Sequence, residues 1–398
     1  MLRKLGCGGR SSTESSLSSS GPKKELLMRA LVATSEGGED EVLQVQLVPR
    51  PVPKAKEVLI KVAYAGVNRA DVEETNLGEP TLNELEKAGL KGKYMGVECS
   101  GTVCAHGEMS KKDKQTWKID TKVCAILVGG AYAEYVAAPI GHLLKFTTKI
   151  PVELAAAIPQ DACTVWSELF MKKRLYEGSA PEEEGEGSRL SSGETVLLLE
   201  VLEALGFPFL FDVGGVAVDA GCSGIGIFAI QMAKYQGATA FATAGTNAKI
   251  AECRRLGADL CINYNKNDFV EVIKDRTKGQ GVDVILDCVG CNGLHRNLEC
   301  LKKGGRLVHI CDNGRWMKKI DAYTELSNYK LIDVASLLYR TPEMKTVIVK
   351  EVQEKVMPAI ENGDVKLVIH NQVFTFEEAA EAHKLKKSNL IGKILLHP

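Results

Sequence analysis

The stretch "VAVDAGCSGIGIFAIQMAKY" (216–235) sets Gly221, Ser223, Gly224 and Gly226 between an apolar run and a helix-like segment. A strand–turn–helix unit with so little side chain lets the backbone approach a pyrophosphate without Cβ clashes. The helix start adds unpaired N–H groups and a partial positive charge. Ser223 stands where the dinucleotide fingerprint places its second glycine. It keeps the turn small and can add a hydroxyl hydrogen bond to a phosphate oxygen. A glycine-rich turn alone is also a plain tight connection. The amphipathic helix behind this one, and the second strand after Gly237, favour a dinucleotide.

That second strand ends in "ATAGTNAK", with Gly245, Thr246 and Lys249 and no carboxylate. A free ribose 2′-OH is usually held by Asp or Glu at this point, whereas a 2′-phosphate needs small or basic neighbours. NADPH is therefore the expected cofactor, with Lys249 as the cation for its 2′-phosphate; the alternative for Lys249 is a solvated helix face. Twelve cysteines are scattered singly through the chain and read as reduced thiols. Cys288 and Cys291 form a CxxC, but no second pair at metal spacing accompanies it.

The elements that must position these residues fall into two styles. From Met28 to about Phe146, runs such as "MRALVAT", "EVLIKVAYAG" and "GVECSGTVCAHG" alternate with Gly, Pro and charged turns, which predicts a small barrel-like β unit. After "IPVELAAAIPQDACTVWSELFM", strands and helices alternate: "TAFATAG" then "NAKIAECRRLG", "LCINY" then "DFVEVIKDRTKG", then "VDVILDCVG" and "GRLVHIC". This pattern predicts a parallel, doubly wound sheet with right-handed crossovers. A closing helix from about Phe376 and the strand "GKILL" could rejoin the first unit. The predicted division is a tail at 1–27, a β-rich domain of 28–150 and 320–398, and a dinucleotide domain at 151–319.

With 398 residues, two domains are expected. Fifty Lys and Arg against 51 Asp and Glu leave a net charge of −1, so no global field points to nucleic acid or an anionic membrane. The most apolar stretch, 195–218, is interrupted by Glu200, Glu203 and Asp212, which argues against a membrane span. The serine-rich start, with Arg3, Lys4, Arg10, Lys23 and Lys24 against Glu14, weakly resembles a transit peptide, and a disordered tail is the alternative. A cytoplasmic protein is expected, or an organellar one if the tail is a targeting signal.

Several stretches together carry a family resemblance: "VNRAD" (67–71), "YMGVECSGTV" (94–103), "GGAYAEYVAAP" (129–139), "AAAIPQDACTVW" (155–166), "GCSGIGIFAIQMAK" (221–234), "TAGTNAKIAECRRLGAD" (243–259), "GVDVILDCVG" (281–290) and "IGKILL" (391–396). Over nearly all of Met28 to Pro398 the chain resembles zinc-independent quinone oxidoreductases of the medium-chain dehydrogenase/reductase superfamily, the zeta-crystallin-like group. The resemblance implies an α/β fold in which a Rossmann doubly wound parallel sheet is flanked by a GroES-like β-rich substrate domain. It also implies NADPH in the cleft and a homodimer formed by edge-to-edge pairing of the Rossmann sheets. By resemblance, Asn68 and Thr164 lie near the nicotinamide and are the catalytic candidates. Ser223, Gly224, Ile225 and Gly226 line the phosphates. Gly245, Thr246, Lys249 and Tyr264 surround the 2′-phosphate. Cys288, Val289 and Gly290 meet the adenosine or bridging ribose, His309 and Ile310 the carboxamide side, and Asn389 is a further candidate. His309 reads equally as a residue finishing a buried strand.

Zinc-dependent relatives need Cys and His ligands around an open tetrahedral position. Val97 stands where they place a histidine, and Asn68 offers no thiolate, so no metal is expected. A reductase without a metal needs an acceptor that is already electrophilic: a quinone or a conjugated enone. The expected activity is NADPH-dependent reduction of a quinone or similar conjugated carbonyl. The alternatives are an enoyl or alkenal reductase, or a cofactor-binding protein without turnover.

Two places depart from the family. After "VNRAD", the stretch "VEETNLGEPTLNELEKAGLKGKYMG" replaces the usual glycine, tyrosine and prolines of the quinone pocket. The first Rossmann strand has two candidates, "ETVLLL" and Gly215–Asp219. Because the glycine turn should follow its strand at once, the slot is expected to go to Gly215–Asp219, with "ETVLLL" displaced or 200–214 an insertion.

Overall fold

The computed structural model describes residues 26–34, 42–74, 95–171, 190–199, 223–288, 294–310, 331–335, 337, 340–386, 388 and 390–398. Residues 1–25, the segment 75–94, the inserts 177–188 and 200–214, and Gly221, Val289, Gly290, Cys291 and Asn389 lie outside them.

The first β unit begins with the antiparallel pair β1 (Leu27–Thr34) and β2 (Val42–Pro49). Its main sheet contains β3 (Glu57–Val67), β4 (Glu98–His106), β5 (Lys122–Ile126) and β7 (Leu143–Lys145), with β6 (Tyr135–Pro139) paired to β3. Its strands bury Val58, Ile60, Val62, Val103, Val123 and Ala125 in one core with Phe374, Ile394 and Leu396 from the end of the chain. β-Branched residues fit such a pleated, half-buried surface. Short helices α1 (Arg69–Glu74) and α2 (Lys111–Thr116) fill turns, and α3 (Val152–Ala155) leads into α4 (Pro159–Val165), where Pro159 occupies the first turn.

The second unit is a six-stranded parallel sheet, order β10-β9-β8-β11-β12-β13. Its strands are β8 (Thr195–Leu199), β9 (Thr239–Ala244), β10 (Leu260–Asn263), β11 (Val282–Asp287), β12 (Leu301–Ile310) and β13 (Leu331–Ala335). The order reverses at β8, which places a crevice at the C-terminal ends of β8 and β11. Helix α5 (Gly224–Tyr235) is capped by Ser223, α6 (Asn247–Arg255) by Thr246, and α7 (Phe269–Arg276) by Asp268. Each cap side chain accepts an otherwise unpaired N–H of the first turn. α8 (Leu294–Cys300) runs directly into β12.

The expected first strand is corrected. The slot between β9 and β11 belongs to Thr195–Leu199, not to Gly215–Asp219, which lies outside the described residues. The physical reason is burial on both faces. Val196 and Leu198 enter the core against α4 and α5, while Leu197 and Leu199 enter the core on the opposite side with Phe241, Ile262 and Phe269. An uninterrupted apolar run of this length suits the middle of a parallel sheet.

The expected domain boundary at 320 is also corrected, because β13 still belongs to the parallel sheet. α9 (Pro342–Lys355) and α10 (Met357–Asn362) follow, and Ile348, Val349, Val352 and Met357 pack in the same core as Val196 and Leu198. The chain rejoins the β unit at β14 (Ile369–Thr375), continues through α11 (Ala379–Lys386), and ends in β15 (Lys393–His397) between β14 and β3.

Candidate active site

Four elements converge where the two units meet: the end of β3, the start of β4, helix α4 and the N-terminus of α5. The last strand adds Lys393 to them. Lys393 is 2% exposed, and its ammonium donates to Glu98 Oε1 at 2.6 Å, Asn68 Oδ1 at 2.7 Å and Asp161 Oδ1 at 3.0 Å. Three acceptors use all three of its protons. Glu98 also takes the Asn68 amide at 2.8 Å and the backbone N–H of Gln160 at 2.9 Å. Burial raises the pKa of Glu98 above the usual carboxylate range, against the pull of Lys393. Burial alone would lower Lys393, but the Asp161 and Glu98 charges more than offset this and hold it above the ordinary lysine value.

Asp71 lies next to this cluster. Its carboxylate accepts from the backbone N–H groups of Asn68 (2.7 Å) and Gly96 (3.1 Å) and from the Tyr132 hydroxyl (3.0 Å). Burial outweighs those bonds and pushes its pKa up to about 6. Lys386, at the end of α11, is pushed down to about 8 by burial and by the Lys393 charge.

Asp161 connects the cluster to the glycine turn. A Cβ on Gly224 would fall 2.0 Å from Asp161 Oδ2, so this carboxylate lies directly against the first residue of α5. Thr164 stands one helical turn beyond Asp161 on the same face of α4. It is 2% exposed, and its Oγ1 has no hydrogen-bond partner among the described residues. Buried hydroxyls are nearly always paired. This one is therefore available to a ligand.

Of the residues expected at the site, Ser223, Gly224 and Gly226 form the α5 N-terminus, where Ser223 Oγ accepts from Gly226 N–H at 3.2 Å, and Thr164 lies on α4, the helix whose Asp161 meets Gly224. Ile225 is half-buried and packs against the large core. Asn68 is present as well, but its side chain is spent on Glu98, Lys393 and the Gly66 carbonyl. It holds the cluster together rather than offering a free amide. His309 Nδ1 and Asp287 Oδ2 are 3.3 Å apart at the ends of β12 and β11, and Asn297 donates to the same Asp287 oxygen at 2.9 Å. Cys288 follows Asp287 half-buried, and Ile310 packs against the large core.

A second group gathers at the start of α6. A Cβ on Gly245 would fall 2.4 Å from the Tyr264 hydroxyl, and Asn265 donates to the Gly245 carbonyl at 2.8 Å. Lys249 is 1% exposed, so its stem is packed inside and the solvated helix face, the alternative for it, does not hold. The reason is its place on α6, where Ile250 and Cys253 are buried beside it. Sequence reasoning missed Lys266, an exposed cation whose ammonium donates to Asn247 Oδ1 at 3.2 Å at the head of α6. It missed Asp161, Glu98 and Lys393 as well. The available signals were a charge inside "GKILL" and another inside "GVECSG".

These residues fit a nicotinamide dinucleotide: a capped helix start with no Cβ at Gly224, an unpartnered buried hydroxyl at Thr164, and a strand end without a carboxylate at Gly245. They do not fit zinc. Glu98 is engaged by Lys393 and Asn68. No three His, Cys, Asp or Glu side chains among the described residues could hold a metal ion. No helix among them is long and apolar enough to cross a membrane.

Comparison with known proteins agrees with this architecture. Residues 54–149 match the alcohol dehydrogenase GroES-like domain family, and residues 224–361 match the zinc-binding dehydrogenase family. A probable quinone oxidoreductase of Schizosaccharomyces pombe is 28% identical over 375 residues, covering 92% of this chain and 96% of that one. Among solved structures, Escherichia coli quinone oxidoreductase complexed with NADPH superposes with a TM-score of 0.73 at 22% identity, over 93% of this chain and all of that one. The CurK enoyl reductase gives the same TM-score at 23% identity, over 93% of this chain and 99% of the other. With a GroES-like β unit closed by its last strand, a parallel sheet in Rossmann order and a quinone oxidoreductase relative along nearly its whole length, the chain belongs to the medium-chain dehydrogenase/reductase superfamily.

Proposed function

We propose that the protein is an NADPH-dependent reductase of quinones or comparable conjugated carbonyls that works without a metal. The observation that carries this reading is the buried, unpartnered Thr164 hydroxyl one helical turn beyond Asp161, whose carboxylate lies against the first residue of α5. The bound nicotinamide would supply a hydride. Ser223, Gly224 and Gly226 would receive the pyrophosphate at the N-terminus of α5. Gly245, Thr246, Tyr264, Lys249 and Lys266 would surround the 2′-phosphate, and Thr164 would orient the ring end. His309, Ile310 and Cys288 line the same ends of the parallel strands. Val289, Gly290 and Asn389 remain candidates from the resemblance alone. With no Lewis acid to polarise a carbonyl, the acceptor must delocalise the incoming charge itself, as quinones and enones do.

A homodimer built on the Rossmann sheet edges is part of this proposal, and so is a cytoplasmic setting. Enoyl reduction is the second reading, favoured by the CurK enoyl reductase likeness. A purified-protein screen following the loss of reduced-nicotinamide absorbance with quinones and small α,β-unsaturated carbonyls separates the two. Faster turnover of quinones supports the first reading and faster turnover of enones the second. Cofactor binding with no turnover of either class would reduce the chain to a binding protein.

A further inference from the structure

We propose that Asp161 and Lys393 together set the affinity of the α5 N-terminus for a dinucleotide: the Asp161 carboxylate opposes the pyrophosphate, and Lys393 is the positioning residue that holds and neutralises that carboxylate. This rests on the dinucleotide reading above. A helix start attracts anions, and α5, with twelve residues, has the full effect of its dipole. Here one anion already belongs to the protein, because Asp161 Oδ2 sits against Gly224, 2.0 Å from the point a Cβ would occupy. The buried Thr164 hydroxyl, one turn further along the same face, marks where a ligand must come.

The charges are unequal in number. One ammonium serves two carboxylates, and Glu98 has the shorter contact, 2.6 Å against 3.0 Å for Asp161. Glu98 is further held by Asn68 and by the Gln160 N–H, whereas for Asp161 the second oxygen is turned to α5. Negative potential therefore remains on the side facing the cofactor. If Lys393 loses its charge, the Asp161 carboxylate loses the ammonium that holds it at 3.0 Å. Asp161 Oδ2, set against the first residue of α5, then opposes the phosphates with less compensation.

The test is the dissociation constant of NADPH for the full-length protein, measured by nicotinamide fluorescence without substrate, with unliganded melting temperatures recorded alongside. Asp161→Asn, which keeps the shape and removes the charge, is expected to tighten binding about fivefold. Lys393→Met is expected to weaken it about tenfold, and Lys393→Arg to stay near the parent. The double variant Asp161→Asn/Lys393→Met is expected to recover to within about twofold of the parent, which a merely structural lysine would not allow. An unchanged constant in Asp161→Asn, or a double variant no better than Lys393→Met, overturns the proposal while leaving the reductase reading intact. Should Lys393→Met fail to fold, Asp161→Asn and Lys393→Arg decide alone. A parent protein that binds neither NADPH nor NADH overturns the reductase reading and this inference with it.

Discussion

Replacing Gly224 by alanine adds one methyl group at the most crowded point of the site. In an ordinary helix first turn the exchange would stabilise the protein by about 1 kcal/mol, since glycine is the poorer helix former. Here the new Cβ would lie 2.0 Å from Asp161 Oδ2 and 2.8 Å from its Cγ. A tolerable contact requires the carboxylate to retreat by about an ångström, and it is held by Lys393 at 3.0 Å in a fully buried setting. Overpacking of this kind costs about 1–3 kcal/mol, and stretching the charge-assisted bond adds to it. After subtracting the helix gain, Gly224→Ala should lose about 2 kcal/mol, seen as a fall of a few degrees in the unliganded melting temperature. The control is the same exchange in an Asp161→Ala background, where the clash is absent and alanine should become neutral or stabilising. A Gly224→Ala protein as stable as its parent, with Asp161 present, would refute the reasoning. Gly245→Ala offers a contrast: there the obstructing atom is the far end of Tyr264, which can swing aside, so the loss should be smaller.

Leu198→Ala in β8 should cost about 2–5 kcal/mol in thermal or denaturant unfolding, because the side chain is buried at the centre of the parallel sheet. Lys345, pushed down to about 8 by burial, is charged in both the folded and unfolded states below that pH and burdens the folded one. Between pH 8 and the ordinary lysine value the unfolded chain holds the extra proton, so this burden fades as pH rises. Lys345→Met should therefore gain at most about 3 kcal/mol over the parent at pH 7, and the gain should shrink towards pH 10 in paired melts. Lys266→Ala should reduce the preference for NADPH over NADH about two- to fivefold in competitive titrations. Lys249→Ala should lower the preference and the melting temperature together, because its stem is buried.

Local patterns carried most of the architecture. The alternation of strands and helices from 239 to 310 was readable because each strand is apolar and each helix begins at a capping residue such as Thr246 or Asp268. Adjacency to the glycine turn does not identify the first parallel strand, because the two-sided burial that "TVLLL" demands decides the slot. The glycine turn itself was legible, since its chemistry is local. The ion cluster was not. Asn68, Glu98, Asp161 and Lys393 lie on β3, β4, α4 and β15, and only the closed fold brings them within bonding distance. Helical spacing could not decide whether Lys249 faces solvent, because burial depends on what the neighbouring strand packs against it.

β15 is not an edge strand. It lies between β14 and β3, and its Lys393 meets Asn68 across a separation of 325 residues. A growing chain can hold a complete parallel sheet while its β unit still lacks this interior strand. Until β15 arrives, Glu98 lacks the Lys393 ammonium, and the cleft beside α5 has only one finished wall. Contacts this distant in sequence form late and slowly. The cleft beside α5 therefore matures after the parallel sheet, and removing residues 393–398 should leave a protein with an intact parallel sheet and no working site.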